Sequence, residues 1–243
     1  MHFKHKDKRG ILNHISRYLM LYGSFINNPG LLHGKMGIAI FFYHLGRYMD
    51  NKIYYDFGGE LIDEIYNDLT IQYPIRFDDG LCGIGWGIQH LIDQGFVKAD
   101  PDEVLRELDL KILECDVRRL KDTSFETGLI GIAHYIISRY RIRTSEHPII
   151  TNDYITELKN AILLNTTDDL ETKNLIQNLN YILSGNAPSV TNLIPILVTD
   201  VKYKQDILHH NNRVLGISNN GYAGIGLKIL LDLKTENEKD IYH

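Results

Sequence analysis

Four short stretches, each directly ahead of a pair of glycines, carry the side chains best suited to acid–base or ligand chemistry. They are Leu32-His33, Asp78-Asp79, Glu126-Thr127 and Asn219-Asn220. His33 has an imidazole whose unperturbed pKa lies near neutrality, so it fits proton transfer or metal binding. Asp79 and Glu126 stand in neighbouring motifs, and paired carboxylates are a common general acid and base. His33, Asp79 and Glu126 are therefore the candidate catalytic residues.

A structural role is the alternative for these residues. Asp, Asn and Thr are preferred as N-caps directly before a helix, so Asp79, Thr127 and Asn220 are also interpreted as helix caps. His33 is a poor N-cap, which favours a chemical role for it. Trp86 is interpreted either as the lining of a pocket or as part of the core.

A repeated glycine motif, G-x-x-G-I, positions the four stretches. Each copy opens an apolar run of helical length, at Gly34, Gly80, Gly128 and Gly221. Successive copies are 46, 48 and 93 residues apart, and the last step is about twice the others. A fifth copy is therefore due near residue 173, where Lys173 to Ile176 keeps the apolar run without the glycines. The spacing predicts about five repeats, which begin near residues 34, 80, 128, 173 and 221.

Each repeat pairs an apolar helix with an amphipathic one, and another amphipathic helix over residues 10–24 precedes the repeats. A helix that is apolar all round must be buried, whereas one with a polar stripe faces water. The alternation predicts an all-α fold, an α/α toroid or incomplete barrel of about five helical hairpins. One domain is expected over residues 1–243, with flexible ends at 1–8 and 235–243.

The amphipathic helix of the second repeat has the clearest start signal in the chain. Asp100 is a good N-cap and Pro101 a preferred first helical residue. Val104, Leu108, Ile112 and Cys115 are expected on its buried face.

Glycine in a helix costs roughly 1 kcal/mol relative to alanine, so the paired glycines need a reason. One interpretation is close packing between neighbouring inner helices. The other is that the inner helices start at one mouth, where unpaired N–H groups and positive dipole ends suit an anionic or carbonyl-bearing ligand. On that interpretation the ligand-binding residues are Gly34, Gly80, Trp86, Gly128, Asn220 and Gly221.

Composition excludes several classes of protein. The formal net charge is −5 with both signs interspersed, so no nucleic-acid partner is expected. No apolar run reaches the ~18 residues of a membrane span, and no apolar region follows the basic start as in a secretory signal. The two cysteines, 33 residues apart, form no disulfide framework. A cytoplasmic location is expected.

The motifs L-L-H-G-K-M-G-I-A-I (31–40), D-G-L-C-G-I-G-W-G-I (79–88), E-T-G-L-I-G-I-A (126–133) and N-N-G-Y-A-G-I-G-L (219–227) carry a family resemblance. They resemble the glycine-rich repeats of the lanthionine synthetase C-like family, the lantibiotic cyclases and their relatives, over about residues 30–233. The resemblance implies an α/α toroid. It also implies a thioether-forming chemistry, in which a peptide cysteine thiolate adds to a dehydrated Ser or Thr. In the cyclases a zinc ion held by two cysteines and one histidine lowers the pKa of that thiol.

The zinc ligands of the family are not found in this sequence. The resemblance places them ahead of late motifs, one as Cys-His-Gly, where this chain has Asn219-Asn220-Gly221. Its single His-Gly is His33-Gly34 in the first repeat, while Cys82 lies inside a motif and Cys115 on an outer helix. No cofactor is therefore expected, and zinc only if the ligand set is misread. The chain is also short for the family, whose cyclases have six or seven hairpins.

Several functions remain open. The first is a peptide-binding or peptide-modification accessory protein without zinc-dependent cyclase activity, whose partner is a peptide substrate or a modification enzyme. The second is a thioether-forming cyclase with an altered metal site built from His33, Asp78, Asp79 and Glu126. The third is a glycoside-processing α/α barrel with Asp79 and Glu126 as acid and base. A plain helical-repeat scaffold is the fourth, although such repeats do not require paired glycines.

Overall fold

The computed structural model describes residues 5–69, 73–140, 149–166, 169–189, 192–203 and 214–241, without the side chains of 5–7 and 237–241. These residues form α-helices, turns and loops with no strand, so the predicted all-α class is confirmed. The helices are α1 (His5–Tyr22), α2 (Lys35–Met49), α3 (Lys52–Asp68), α4 (Leu81–Asp93), α5 (Pro101–Val104), α6 (Arg106–Leu113), α7 (Leu129–Arg139), α8 (Asn152–Asn165), α9 (Leu170–Leu183), α10 (Leu193–Leu197) and α11 (Tyr222–Ile241). Short 3-10 turns follow α1 (Gly23–Phe25) and α6 (Val117–Arg119).

The chain divides into two compact units. The first consists of Met1–Leu69 and Asn192–His243, and the second of Thr70–Thr191. The single domain over residues 1–243 stays a prediction. No helix among the described residues is long and apolar enough to cross a membrane.

In the first unit, the first helix of the chain packs against the last one. Helix α2 forms a hairpin with α3 and packs against α11, which also packs against α1 and α10. Almost every residue of α2 from Lys35 to Gly46 is buried, whereas α3 buries only Gly58, Leu61 and Ile65. The expected pairing of one apolar and one amphipathic helix is therefore present in the first repeat.

The first unit also shows where the chain ends depart from the expected helix bounds. Helix α1 begins at His5, earlier than the predicted residue 10, and α11 continues to Ile241. Lys8 of α1 is buried and ion-pairs with Glu236 of α11 at 2.6 Å. This pair joins the N-terminal turn of α1 to the C-terminal part of α11. Residues 1–4 and 242–243 of the predicted flexible ends lie outside the described residues.

The second unit is built around α4 and α7, which pack side by side. Helix α7 also contacts α8 and α9. Helix α8 is amphipathic, and its buried residues are Tyr154, Ile155, Leu158, Ala161 and Ile162. Helix α9 stands where the repeat without glycines is predicted. It buries Leu175, Leu179 and Ile182 but exposes Lys173 and Asn174, so it is amphipathic.

The amphipathic helix of the second repeat is broken into α5 and α6. Asp100 caps α5 as predicted, since its carboxylate accepts a hydrogen bond of 2.9 Å from the Asp102 N–H. The helix stops at Val104, and α6 begins only at Arg106. The break turns Leu105 into the core and leaves Val104 38% exposed, so the prediction that Val104 is buried is wrong. Leu108 and Ile112 are buried as predicted, whereas Cys115 lies beyond the end of α6 and is only half-buried.

Candidate functional site

The loop ahead of each of the first three motifs folds back onto the helix that it precedes. The N–H of the residue after the first glycine donates to the carbonyl six residues before that glycine. The three bonds are Lys35 to Asn28 (2.9 Å), Leu81 to Pro74 (2.9 Å) and Leu129 to Asp122 (3.0 Å). Loop carbonyls therefore satisfy donors that a helix N-terminus otherwise leaves free.

The loop geometry overturns the expected capping by side chains. Gly34, Gly80 and Gly128 are themselves the N-caps of α2, α4 and α7, and no side chain caps these helices. The prediction that Asp79 and Thr127 are N-caps is therefore wrong. The physical reason is that backbone carbonyls occupy the place of a capping side chain. The engaged N–H groups also remove part of the expected attraction for an anion.

The first glycine of each motif is required by the close approach of its own loop. A Cβ at Gly34, Gly80, Gly128 or Gly221 would overlap the carbonyl oxygen of Asn28, Pro74, Asp122 or Gly216 respectively. All four glycines are buried and serve this close packing, while their predicted part in ligand binding stays a prediction. The second glycine is crowded by the same loop, since a Cβ at Gly37, Gly131 or Gly224 would overlap the carbonyl oxygen of Leu31, Phe125 or Ile217 respectively. A Cβ at Gly131 would also overlap Phe77 of the neighbouring repeat. The glycines therefore serve close packing, but mainly against their own loops and not between neighbouring inner helices as the packing interpretation expects.

In the second unit, hydrogen bonds join the loops of two neighbouring motifs. The carbonyl of Glu126 accepts from the N–H groups of Phe77 at 2.8 Å and Asp78 at 3.0 Å. These bonds bring the backbones that carry Asp79 and Glu126 together on one loop surface. Glu126 is exposed and Asp79 is half-buried.

Asp78 holds this loop surface in place. Its carboxylate is buried, accepts from the Arg76 guanidinium, with Nε at 2.9 Å, and accepts from the Asp79 N–H at 2.7 Å. Asp78 therefore positions Arg76, whose side chain is 45% exposed, and its own hydrogen bonds raise the pKa of that guanidinium. The Arg76 guanidinium is therefore an exposed cation that Asp78 holds in place, on the same loop as Asp79.

Asp122, Ser124 and Thr127 complete the loop, and of these only Thr127 was singled out from the sequence, as an N-cap. Thr127 Oγ1 donates to Asp122, and the Ser124 N–H donates to the same carboxylate at 2.8 Å. These bonds hold the pKa of Asp122 below its ordinary value. An Asp whose carboxylate accepts from the N–H two residues later forms an Asx-turn. The available sequence signal was therefore an Asp, Asp122, in the loop ahead of the motif.

Five aromatic and imidazole rings pack beneath this loop surface, namely Phe77, Trp86, His90, Phe125 and His134. Trp86 is 5% exposed and stacks on His90 with ring centroids 5.1 Å apart, so it belongs to the core and does not line an open pocket. The His134 ring packs edge-on against Phe125 at 5.3 Å, and its buried Nε2 has no hydrogen-bond partner among the described residues. Burial lowers the pKa of His134 to about 4, so the imidazole is neutral. His134 follows Gly128 by six residues, as Trp86 follows Gly80.

In the first unit, the loop of the last motif has a different conformation. Asn219 and Asn220 are both left-handed, with φ of 54°. The Tyr222 N–H reaches the carbonyl of Val214, one residue further back than in the other motifs. The Asn220 Oδ1 accepts from the Lys202 N–H at 2.7 Å. His33, in the first-motif loop of the same unit, is exposed.

The donor set does not fit the zinc site that the family resemblance implies. Cys82 is completely buried in α4, and Cys115 is half-buried beyond the end of α6. Burial raises the pKa of both thiols, which opposes the thiolate form that zinc requires. Within the part of the chain that the structure describes, no three His, Cys, Asp or Glu side chains are grouped closely enough to hold a metal ion.

Comparison with known proteins identifies the family. The family model described as lanthionine synthetase C-like protein matches residues 26–187, about two thirds of the 243-residue chain. The matched range contains the first three motifs and helices α2 to α9. No curated protein and no solved structure matches the chain in the corresponding searches. The chain therefore belongs to the lanthionine synthetase C-like family.

Proposed function

We propose that this protein binds a peptide at its motif loops and assists the modification of that peptide, without zinc-dependent thioether cyclisation. The observation that carries the proposal is at the last motif. Asn219-Asn220 stands where the family resemblance implies a Cys-His pair, and the Asn220 side chain is committed to the Lys202 N–H. The family architecture is kept while the metal-binding residues are replaced.

The loop surface of the second unit supports peptide binding. Peptides carry charged side chains and backbone amides, which are recognised by fixed polar groups of both signs. Arg76, Asp79 and Glu126 provide such groups on loops whose backbones are bonded to each other. Because the loops are held before a ligand arrives, less conformational entropy is lost on binding.

The state of the thiols supports the absence of zinc-dependent cyclisation. Zinc activates a thiol only when the ligand cysteines are deprotonated and share one site with the histidine. Cys82 lies inside the core of the second unit with a raised pKa, and it belongs to the packing of α4. The peptide partner is a substrate on its own or a substrate carried by a modification enzyme.

A binding measurement tests the proposal. Fluorescently labelled precursor peptides encoded beside the gene are titrated with the full-length protein, and anisotropy is recorded. We expect saturable binding that Asp79→Asn combined with Glu126→Gln weakens. The matched control is Glu103→Gln with Glu107→Gln, two exposed carboxylates on the amphipathic helices of the same unit. If none of the peptides binds, the proposal is wrong.

A glycoside-processing enzyme is a second candidate, because one specific observation favours it. The bonds from Phe77 and Asp78 to the Glu126 carbonyl place Asp79 and Glu126 on one surface. A carboxylate pair across a glycosidic bond supplies the acid and the base or nucleophile. A broad glycan screen tests this candidate. Hydrolysis that Asp79→Asn and Glu126→Gln each abolish would support it, and no hydrolysis would dispose of it.

A further inference from the structure

The last motif of the first unit contains the pair Asn220–Gly221, in which Asn220 is exposed and Gly221 is buried. Glycine has no Cβ, so its backbone nitrogen is the least hindered one for attack on a preceding asparagine side chain. Among the described residues, Asn220 also has its side-chain oxygen held by a backbone N–H from a different segment. We propose that Asn220 is a deamidation site that the Lys202 N–H activates.

The reaction needs only water. The Gly221 nitrogen forms a bond to Asn220 Cγ, the bond from Cγ to Nδ2 breaks, and ammonia leaves with the proton that the Gly221 nitrogen gives up. The product is a five-membered succinimide. Water then opens the ring at Cγ to give aspartate, or at the backbone carbonyl carbon to give isoaspartate. No oxidant, reductant or cofactor takes part.

The Lys202 N–H lies where negative charge develops in this reaction. As the nitrogen attacks Cγ, the carbonyl oxygen Oδ1 becomes an oxyanion. The Lys202 N–H already donates to Oδ1 at 2.7 Å in the resting loop. A donor that is in place before charge develops stabilises the transition state without reorganisation, as in an oxyanion hole.

One hydrogen bond opposes the attack. The Gly221 N–H donates to the Ser218 carbonyl at 2.9 Å, and this bond must open before the nitrogen can react. It is a single turn bond beside two exposed residues, Asn219 and Asn220. The proposal requires that the donor already in place at Oδ1 contribute more to the reaction than this turn bond restrains it.

The two products differ in their effect on the fold. Aspartate at position 220 keeps an oxygen for the Lys202 N–H. Isoaspartate lengthens the backbone at position 220 by a methylene group, which shifts the Gly221 and Tyr222 N–H groups away from the Ser218 and Val214 carbonyls that accept from them. The isoaspartyl chain therefore does not fit the start of α11, and its formation irreversibly marks and destabilises the first unit.

Peptide mapping by mass spectrometry tests the proposal on the full-length protein, incubated at neutral pH and 37 °C. The folded wild type, the wild type unfolded in urea and Lys202→Pro, which removes the N–H, are compared. We expect deamidation at Asn220 ahead of the exposed Asn186, at least as fast in the folded protein as in urea, and several-fold slower in K202P. Slower conversion in the folded wild type than in urea would overturn the proposal. Equal rates in folded wild type and folded K202P would overturn the role of Lys202. If K202P fails to fold, the comparison with urea still decides.

Discussion

The carbonyl of Leu32 accepts a hydrogen bond of 2.7 Å from the Ile217 N–H, so the loop of the last motif lies against the loop of the first. In the second unit the carbonyl of Glu126 accepts from the Phe77 N–H at 2.8 Å. Leu32 and Glu126 each precede a motif glycine by two residues. The last repeat therefore meets the first through the same contact by which the second repeat meets the third.

The same equivalence holds between the helices and predicts the cost of adding a methyl group. Gly226 of α11 faces the ring of Phe41 in α2, as Gly85 of α4 faces the ring of Tyr135 in α7. A Cβ at either glycine would overlap the ring. We expect Gly226→Ala and Gly85→Ala each to destabilise by about 1–3 kcal/mol, measured by urea unfolding. The larger cost is expected for G85A, because Asp109 holds the Tyr135 hydroxyl at 2.6 Å.

Gly10→Ala is the matched control for both variants. Gly10 lies in α1, and a Cβ there would meet nothing within 4 Å. Alanine is favoured over glycine in a helix by roughly 1 kcal/mol, so this variant should be more stable than the wild type. If G226A and G85A behave like G10A, the close ring contacts do not exist in solution.

A buried ionic network in the second unit predicts a large loss of stability. Asp109 is completely buried, and its carboxylate accepts from Arg139 Nη2 at 2.9 Å and from Tyr135. Removing one partner of a buried pair leaves an uncompensated charge, so Asp109→Ala should cost about 3–5 kcal/mol of unfolding free energy. The control is Asp56→Ala, whose exposed ion pair with Lys52 should contribute less than about 1 kcal/mol. Equal losses in the two variants would contradict the buried network.

His134 predicts a dependence of stability on pH. Burial lowers the pKa of His134 from 6.5 to about 4, so between these values the unfolded chain binds a proton that the folded protein does not. The stability that this residue contributes is present above pH 6.5 and is lost as the pH falls toward 4. The full loss is roughly 3 kcal/mol.

Urea unfolding of the wild type and His134→Leu from pH 7.5 to 4 checks this prediction. The carboxylates titrate in both proteins, so their contribution cancels in the difference. We expect the wild type to lose stability relative to H134L as the pH falls through the window. A constant difference across the window would contradict the buried neutral imidazole.

The apolar helices could be predicted from the sequence because burial on all sides leaves a composition signal. Each of the helices α2, α4, α7 and α11 begins at the residue directly after the first glycine of its motif. The capping of these helices could not be predicted, because backbone carbonyls provide it and carry no side-chain signal. Asp79 and Thr127 match the preferred residue types at the cap position, yet the loop places a carbonyl there first.

The candidate site was predictable only in part. Backbone hydrogen bonds join the loops that carry Asp79 and Glu126, while the catalytic role of the two carboxylates stays a prediction. Gly85 and Gly226, which each face an aromatic ring, had a sequence signal that can be recognised afterwards. Both follow the first glycine of their motif by five residues. The pairing of Arg139 with Asp109 had none, because it joins side chains 30 residues apart that lie outside any motif.

Thiol labelling tests the state of the two cysteines. Cys82 is buried and Cys115 is half-buried, and burial raises the pKa of both thiols. We expect a thiol reagent at pH 8 to label Cys115 slowly in the native protein and to reach Cys82 only after denaturation. Zinc should protect neither thiol from the reagent. Rapid labelling of Cys82 that zinc suppresses would show that this thiol is a metal ligand.

The account is tested most directly by offering the protein a dehydrated precursor peptide with free cysteines. Equimolar zinc is added, and peptide binding and the count of free peptide thiols are followed together. We expect the peptide to bind and its thiols to remain open to alkylation at the rate of a control without protein. Loss of the thiols with formation of thioether rings would contradict the account, and it would establish this chain as a cyclase with an altered metal site.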